Sequence, residues 1–311
     1  MKINIDKLKK EKTIKELLEF SIINIDKPTG PTSFDVSDFV RQSLAKLGCR
    51  KTSHFGTLDP KVTGVLPIAL NRACKLTGFF LGEDKEYVGI MRIHEDRPLE
   101  KIQKIIDNKF MGVIKQTPPV KSRVKRQERE REIKSFKLLE KDENVKDILF
   151  QTEVQGGTYI RKLIDDLGKE KEVGGAHMLE LRRIRAGIFS ENDKDYPAVT
   201  LYELEKAISE YERGNEKPLR DILIPGEEAL KQIFPVFQIK NNEELIKKIF
   251  TGKPLHNEDF ISGEKEKINE IKENEMFILF NKDKFIGVYK KTKEKETDII
   301  ARPEFVLQPV N

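Results

Sequence analysis

The chain has only two cysteines, Cys49 and Cys74, in 311 residues. They form no Cys-x-x-Cys pair, which argues against a disulfide framework and fits a reduced intracellular setting. The four histidines, His54, His94, His177 and His256, are scattered along the chain, and no zinc or di-metal spacing occurs. No apolar run approaches the roughly 20 residues that a membrane helix needs. Residues 1–20 are rich in Lys and Glu and lack the apolar centre of a secretory signal, so no export is expected. There is no internal repeat and no low-complexity tract. The net charge of +5 is small, so composition permits a nucleic-acid partner without requiring one.

Charged residues make up 36% and apolar residues 37% of the chain, which is polar but rich enough in Ile, Leu, Val and Phe to fold. The length suggests about two domains. Residues 1–20 read as a charged lead-in, helical around Ile14–Leu18. Ser21–Asp26 reads as a strand, and Lys27-Pro28-Thr29-Gly30-Pro31-Thr32 must be loop. A helix is expected from Phe34 to Leu47. Thr32 or Ser33 caps it, Asp35 lies in its first turn, Val36, Phe39, Val40, Leu44 and Leu47 share one face, and Gly48 ends it. A mixed segment follows to about Gly112, then a dense charge run over Lys121–Glu132. Ile148–Val154 alternates as a half-buried strand. Thr158 is the expected cap of a helix that buries Ile160, Leu163, Ile164 and Leu167 and closes at Gly168.

Pro225-Gly226 and Pro235 mark a boundary near residues 223–235. Beyond it come a short helix, Glu243–Phe250, and strand-like stretches at Met276–Phe280, Phe285–Lys290 and Ile299–Leu307. The first two are joined by a hairpin-length loop.

The densest motif is Gly56-Thr57-Leu58-Asp59-Pro60, an acidic side chain on a turn-rich segment. Alone, Asp-Pro is a common turn dipeptide. Four further segments follow the same order as in one family. They are Asn24-Ile25-Asp26-Lys27-Pro28-Thr29-Gly30, Lys85-Glu86-Tyr87-Val88, Gly157-Thr158-Tyr159-Ile160-Arg161 and Gly175-Ala176-His177-Met178-Leu179-Glu180-Leu181-Arg182-Arg183. Together they resemble the TruB family of pseudouridine synthases, and the continuation of the Asp59 motif resembles its archaeal and eukaryotic dyskerin-like H/ACA branch.

The resemblance implies an α+β fold. A catalytic core with a mixed, largely antiparallel sheet and flanking helices spans residues 21–230. A small β-rich PUA pseudo-barrel that binds RNA spans 235–311. It implies conversion of uridine to pseudouridine in RNA, at the T-loop uridine of tRNA, at H/ACA guide-directed rRNA sites, or both. That reaction needs a carboxylate near C1′, where oxocarbenium-like charge develops. It also needs a group to manage the C5 proton and a pocket for an extruded base. It needs no metal and no cofactor.

Residue by residue, the resemblance makes Asp59 the essential acid, acting as nucleophile or as ion-pair partner at C1′. It makes Tyr87 the aromatic that stacks on the base near the C5 proton, and Arg161 the ion-pair partner of Asp59. Lys27 and Pro28 buttress the loop, His54 faces the extruded region of the RNA, and Leu181 walls the uracil pocket. Arg182, Arg183 and Arg185 read as a phosphate-facing cluster, and His177 as structural. Thr117-Pro118-Pro119-Val120-Lys121-Ser122 resembles a stretch of the H/ACA branch that leads into a basic loop, here Lys121, Arg123, Lys125 and Arg126. The implied partners are tRNA, rRNA, guide RNA and small H/ACA accessory proteins, with no membrane, in the cytoplasm.

Two departures from the family pattern occur. Phe55 stands where a small polar residue is usual, and Ile184–Phe189 lacks a Gly-Pro-Phe ending. A non-catalytic RNA-binding scaffold is the alternative reading, but it predicts loss of Asp59, Tyr87 or Arg161. A hydrolase or nuclease would need paired acids. Asp165-Asp166 is the only tempting pair, and adjacent helical positions point apart.

Overall fold

The computed structural model describes residues 9–118, 125–142, 145–292 and 298–308. The chain divides into two compact units, one comprising Ser21–Leu223 and the other comprising Ile224–Asn311 together with the residues before Ser21. The sequence reading treated those first residues as a lead-in of their own. They group with the C-terminal unit because their helix, Ile14–Glu19, buries Ile14, Leu17 and Leu18. Phe20 then stacks on Phe285 and Phe305, with ring centroids 5.5 and 5.8 Å apart. The helix lies where the sequence places it, but local spacing does not show which unit buries its apolar triplet.

The Ser21–Leu223 unit is built on a mixed, largely antiparallel sheet. Its strands are β1 (Ser21–Lys27), β2 (Thr52–His54), β3 (Thr63–Leu70), β4 (Lys85–Ile93), β5 (Gly112–Gln116), β6 (Arg129–Asp142), β7 (Asp147–Val154), β8 (Ala176–Ala186) and β9 (Phe189–Ser190). They run in the order β1-β3-β8-β4-β7-β6-β5, with β2 on β3 and β9 on β8. The neighbours are antiparallel except β3 and β8, which pair in parallel at Thr63 with Arg182 and Gly64 with Arg183.

β7 shows the alternation read from its sequence: Ile148, Phe150, Thr152 and Val154 are buried while the residues between them are half-buried. β1 alternates only weakly because it is covered on both faces, and six of its seven residues are buried. The long strand β6 lay hidden in the charge run, since its outward positions carry most of the Lys, Arg and Glu. The helix Leu99–Lys109 was likewise unread. It buries Ile102 and Ile106, and its Gln103 side chain donates to the Phe136 carbonyl and accepts from the Leu138 amide of β6.

The helix expected over residues 34–47 runs from Ser33 to Ser43 and tightens into a 3-10 turn at Ala45–Leu47. Thr32 caps it in a reciprocal box with Asp35, and Gly48 ends it at φ 102°. The later helix, Ile160–Gly168, buries Ile160, Leu163, Ile164 and Leu167 as expected. Thr158 does not cap it. Tyr159 holds the cap position, and the Thr158 hydroxyl donates to the Gln155 carbonyl at 2.7 Å, closing the preceding turn.

The C-terminal unit contains a five-stranded sheet whose Val236–Gln238 strand lies parallel to Met276–Asn281, with the remaining neighbours antiparallel. Its core sets the aromatics Phe237, Phe260, Phe277 and Tyr289, all buried, among aliphatic residues. The helix Glu243–Phe250 and the hairpin between Met276–Asn281 and Lys284–Lys291 lie where the sequence places them.

Gly64 permits the parallel join of β3 and β8. Its φ is +100°, and a Cβ there would lie 2.2 Å from the Arg183 carbonyl oxygen. Gly64→Ala is therefore expected to destabilise the fold by more than about 2 kcal/mol. Gly214→Ala, also at positive φ (+94°) but in open space, should cost only about 1 kcal/mol. Urea unfolding of both variants measures the difference.

Candidate functional site

The segment from Phe55 to Val62 links β2 to β3 and carries Asp59. Phe55 is 1% exposed and stacks on Phe80 with centroids 4.9 Å apart and planes 9° from parallel. Phe189 packs beside both rings. The unusual phenylalanine thus fills the core beneath the loop and leaves the loop's upper face free.

Groups from distant parts of the sequence then fix the loop backbone. The Ser33 hydroxyl donates to the Leu58 carbonyl at 2.9 Å and accepts from the Leu58 amide at 2.7 Å. The Gly30 amide donates to Pro60 O at 2.9 Å. Lys27 is fully buried, and its ammonium donates to the carbonyls of Pro28 (2.7 Å), Pro60 (3.2 Å) and Val62 (2.9 Å). Burial lowers the pKa of that ammonium from the ordinary lysine value, and the nearby Asp59 carboxylate offsets part of the shift. On the other side of Asp59, Arg183 donates to Gly56 O at 3.0 Å and to Val65 O at 2.8 Å.

Asp59 itself stays in the open, its side chain 56% exposed, and meets Arg161 with Oδ2 and Nη2 3.0 Å apart. Arg161 is on the first turn of the Ile160–Gly168 helix, whose opposite face is buried. The start of that helix is pinned by Gln116 at the end of β5. The Gln116 side chain accepts from the Tyr159 amide at 3.0 Å and donates to the Tyr159 carbonyl at 3.3 Å. Ser33 and Gln116 were not among the residues singled out from the sequence. Neither type carries a signal of its own, and only the fold shows what they hold.

Tyr87 lies on β4, opposite Arg183 of β8 and Thr152 of β7, and is 8% exposed. Burial lowers the pKa of the Arg183 guanidinium, and the neighbouring Tyr87 offsets part of the shift. Leu181 sits on β8 opposite Gly89 and is 7% exposed. Pro28 follows Lys27 at the end of β1 and contributes its carbonyl to the lysine. His54 bridges Ser37 Oγ (3.3 Å) and Thr57 Oγ1 (3.2 Å) through its two ring nitrogens.

The arginines of β8 do not form a phosphate-facing cluster. Arg183 is 1% exposed, so it cannot reach a phosphate from the surface. Arg182 makes a bidentate pair with Asp26 at 2.9 Å and a second pair with Glu191 at 2.8 Å. Arg185 pairs with Glu86 and Glu153. Alternation separates Arg183, which points into the unit, from Arg182, and the register shift opposite Glu86 and Tyr87 takes Arg185 off the face of Arg183, so that Arg182 and Arg185 meet acids of neighbouring strands and loops. Of the basic loop residues, Lys125 and Arg126 are exposed, and Lys121 and Arg123 lie outside the described residues. Asp165 and Asp166 pair with Lys162 and Lys169, which leaves no catalytic dyad there. Among the described residues no cluster of three or more His, Cys, Asp or Glu could hold a metal ion, and no helix is long and apolar enough to cross a membrane.

Residues 44–160 match the profile of the "TruB family pseudouridylate synthase (N terminal domain)", and residues 161–231 that of the "tRNA pseudouridylate synthase B C-terminal domain". The full-length likeness decides the matter. The chain superposes on a chain of the "Crystal Structure of a Cbf5-Nop10-Gar1 Complex" with a TM-score of 0.82 and 33% identity, covering 97% of this chain and 89% of that one. The chain belongs to the TruB family of pseudouridine synthases. A chain of an "H/ACA RNP bound to a substrate RNA containing 2'-deoxyuridine" aligns with a TM-score of 0.80 at 32% identity. Among curated sequences, the "Probable tRNA pseudouridine synthase B" of Nanoarchaeum equitans is 44% identical over 225 residues, 72% of this chain and 61% of its own. That of Methanopyrus kandleri is 44% identical over 232 residues, 74% of this chain and 65% of its own. The matched region is thus less than two thirds of either relative's length.

His54 lies beside the TruB loop with its pKa below the ordinary value, because burial and then the Arg183 charge disfavour the imidazolium. Below about pH 6.5 the unfolded chain takes up a proton that the fold resists. Stability is therefore expected to fall on acidification, by up to about 1.4 kcal/mol per pH unit for this one group. His54→Gln should flatten that part of the curve, which urea unfolding from pH 7.5 to 5 will measure.

Proposed function

We propose that this TruB-family chain isomerises uridine to pseudouridine in RNA. The observation that carries the reading is the Asp59–Arg161 pair: an exposed carboxylate 3.0 Å from an exposed guanidinium, on a loop whose backbone is fixed from several sides. An exposed pair of this kind contributes only about 0–1 kcal/mol to stability. Its rationale is therefore chemical: the guanidinium points the carboxylate in one direction.

The reaction breaks the N1–C1′ bond, turns the base and forms a C5–C1′ bond. C5 loses a proton and N1 gains one, so nothing is oxidised and no group leaves. Asp59 meets the developing positive charge at C1′, by covalent attack or as an ion pair. Tyr87 stacks against the extruded uracil and lies near the C5 proton, Leu181 lines the pocket, and Lys27, Pro28 and His54 hold the loop and its flank.

The substrate is RNA, either the T-loop uridine of tRNA or a guide-directed rRNA site; likeness to archaeal tRNA pseudouridine synthases supports the first, and likeness to a chain of an H/ACA RNP supports the second. The exposed Lys125 and Arg126 extend a basic surface toward phosphates, continued in sequence by Lys121 and Arg123. The C-terminal unit serves as a PUA-type RNA-binding domain. Guide RNA and small accessory proteins of the H/ACA kind would dock on a chain of this shape, and the cytoplasm is the expected setting. A non-catalytic scaffold would have no need of Asp59, Tyr87 and Arg161 together.

A tRNA transcript carrying C5-tritiated uridine is the test. The protein should release tritium on its own or when guide RNA and accessory proteins are added. Asp59→Asn should lower release by at least about 1,000-fold while RNA binding, measured by filter retention, is preserved. Loss of binding with Asp59→Asn, or retained release, would refute the assignment.

A further inference from the structure

The formal charge of the chain is unevenly placed. Residues 45–75 carry six cations, Lys46, Arg50, Lys51, Lys61, Arg72 and Lys75, and one acid, Asp59. Taking these from the chain's 58 Lys and Arg and 53 Asp and Glu leaves 52 of each, so the whole excess of +5 sits in the segment that carries the Asp59 loop. The fold gathers four of the cations at one place. The 3-10 turn Ala45–Leu47 carries Lys46, Arg50 and Lys51 follow it into β2, and the 3-10 turn Asn71–Leu76 carries Lys75. Asn71 joins these pieces. Its Oδ1 accepts from the amides of Arg50 (2.8 Å) and Lys51 (3.3 Å), its Nδ2 donates to Gly48 O (3.1 Å), and its own amide donates to Lys51 O (2.8 Å). Asn71 has φ +46°, a left-handed conformation that asparagine tolerates better than most residues.

Lys46, Arg50, Lys51 and Lys75 are all exposed, and Lys46, Lys51 and Lys75 form no ion pair among the described residues. On other surfaces lysines meet acids, as Lys109 meets Glu170, Lys134 meets Asp84 and Lys217 meets Asp221. Crowding unpaired like charges gains the fold nothing, so their use lies in a partner. Around them stand the half-exposed hydroxyl residues Thr52, Ser53 and Thr77, with the Ser53 and Thr77 hydroxyls 3.0 Å apart. No exposed large hydrophobic falls in residues 45–75. Lysines, arginines and hydroxyls without an apolar anchor suit phosphates rather than a protein interface. This face also adjoins the Asp59 site. β2 runs from it to His54, about 10 Å beyond Lys51 at the rise of a strand, and the His54 ring meets Thr57 of the Asp59 loop.

We infer that Lys46, Lys51 and Lys75 form a docking face for the phosphates of the RNA strand that flanks the target uridine, seated beside the Asp59 loop by the Asn71 clamp. This rests on the uridine-isomerising reading above. The face supplies affinity and orientation, and touches neither the base nor C1′. Its contribution is electrostatic and fades with added salt, since each phosphate contact releases counterions.

The experiment is filter retention of two RNAs by the full chain, the tRNA transcript and a stem-loop cut down to its T-arm, between about 50 and 300 mM salt. Lys46→Gln, Lys51→Gln and Lys75→Gln combined should bind both RNAs at least about 10-fold more weakly near 150 mM salt. The slope of log affinity against log salt should become shallower by about 2–3. The urea midpoint should not fall. Tritium release at saturating RNA, with any guide RNA and accessory proteins the wild type needs, should stay within about threefold of wild type, because no reacting group is altered. The control combines Lys104→Gln, Lys171→Gln and Lys206→Gln, exposed lysines with Glu100, Glu170 and Glu203 close by in sequence. It removes the same charge and should weaken binding less than about threefold. Equal losses in the two triple variants, or an unchanged affinity and slope in the first, would overturn the inference. So would a loss seen with the tRNA transcript but not with the stem-loop, which would place the face far from the target uridine. A wild type that binds RNA through these lysines yet releases no tritium would instead defeat the functional reading.

Discussion

An exposed aspartate can be held still only if its backbone is held, and in this chain buried cations do the holding. Lys27 grips the carbonyls of Pro60 and Val62 on one side of Asp59, and Arg183 grips that of Gly56 on the other. Both side chains are essentially sealed from solvent. A carbonyl is the fitting partner for a cation there. It accepts a strong charge-assisted bond, and it leaves the Asp59 carboxylate to Arg161. The loop is thus anchored from β1, from β8 and, through Ser33, from the first helix of the unit. The parallel join at Gly64 brings β8 close enough for this to happen.

The division of labour between stability and chemistry follows. The buried bonds fix geometry, whereas the Asp59–Arg161 contact, exposed on both sides, adds little to folding. Arg161 reaches the site because the helix Ile160–Gly168 buries its apolar face and because Gln116 clamps its first turn.

Much of this was legible in the sequence. Period-two burial on β7, the capped helix after Thr32 and the apolar face around Leu163 follow from local pattern alone. The meeting of Asp59 with Arg161, 102 positions apart (161 − 59), was legible only through family resemblance, since spacing says nothing about a contact between a loop and a distant helix. The fate of the β8 arginines was not legible. Three arginines in four positions read as a basic face, but whether each meets a phosphate, an acid or a carbonyl depends on which strands flank β8. Thr158 failed as a cap for a related reason: the helix starts one residue later than local pattern suggests, with Tyr159 at the cap position, and the Thr158 hydroxyl closes the preceding turn. The strand β6 was hidden because edge-facing charge masks alternation.

The claim on which the account stands is that Asp59 and Arg161 act as one unit on an extruded uridine. A double-mutant cycle on tritium release measures it most directly, using Asp59→Asn, Arg161→Met and the two combined. The account predicts that the double variant is no slower than Asp59→Asn alone, because an arginine with no carboxylate to orient contributes nothing to the chemical step. Multiplicative losses would show two residues acting independently and would contradict it.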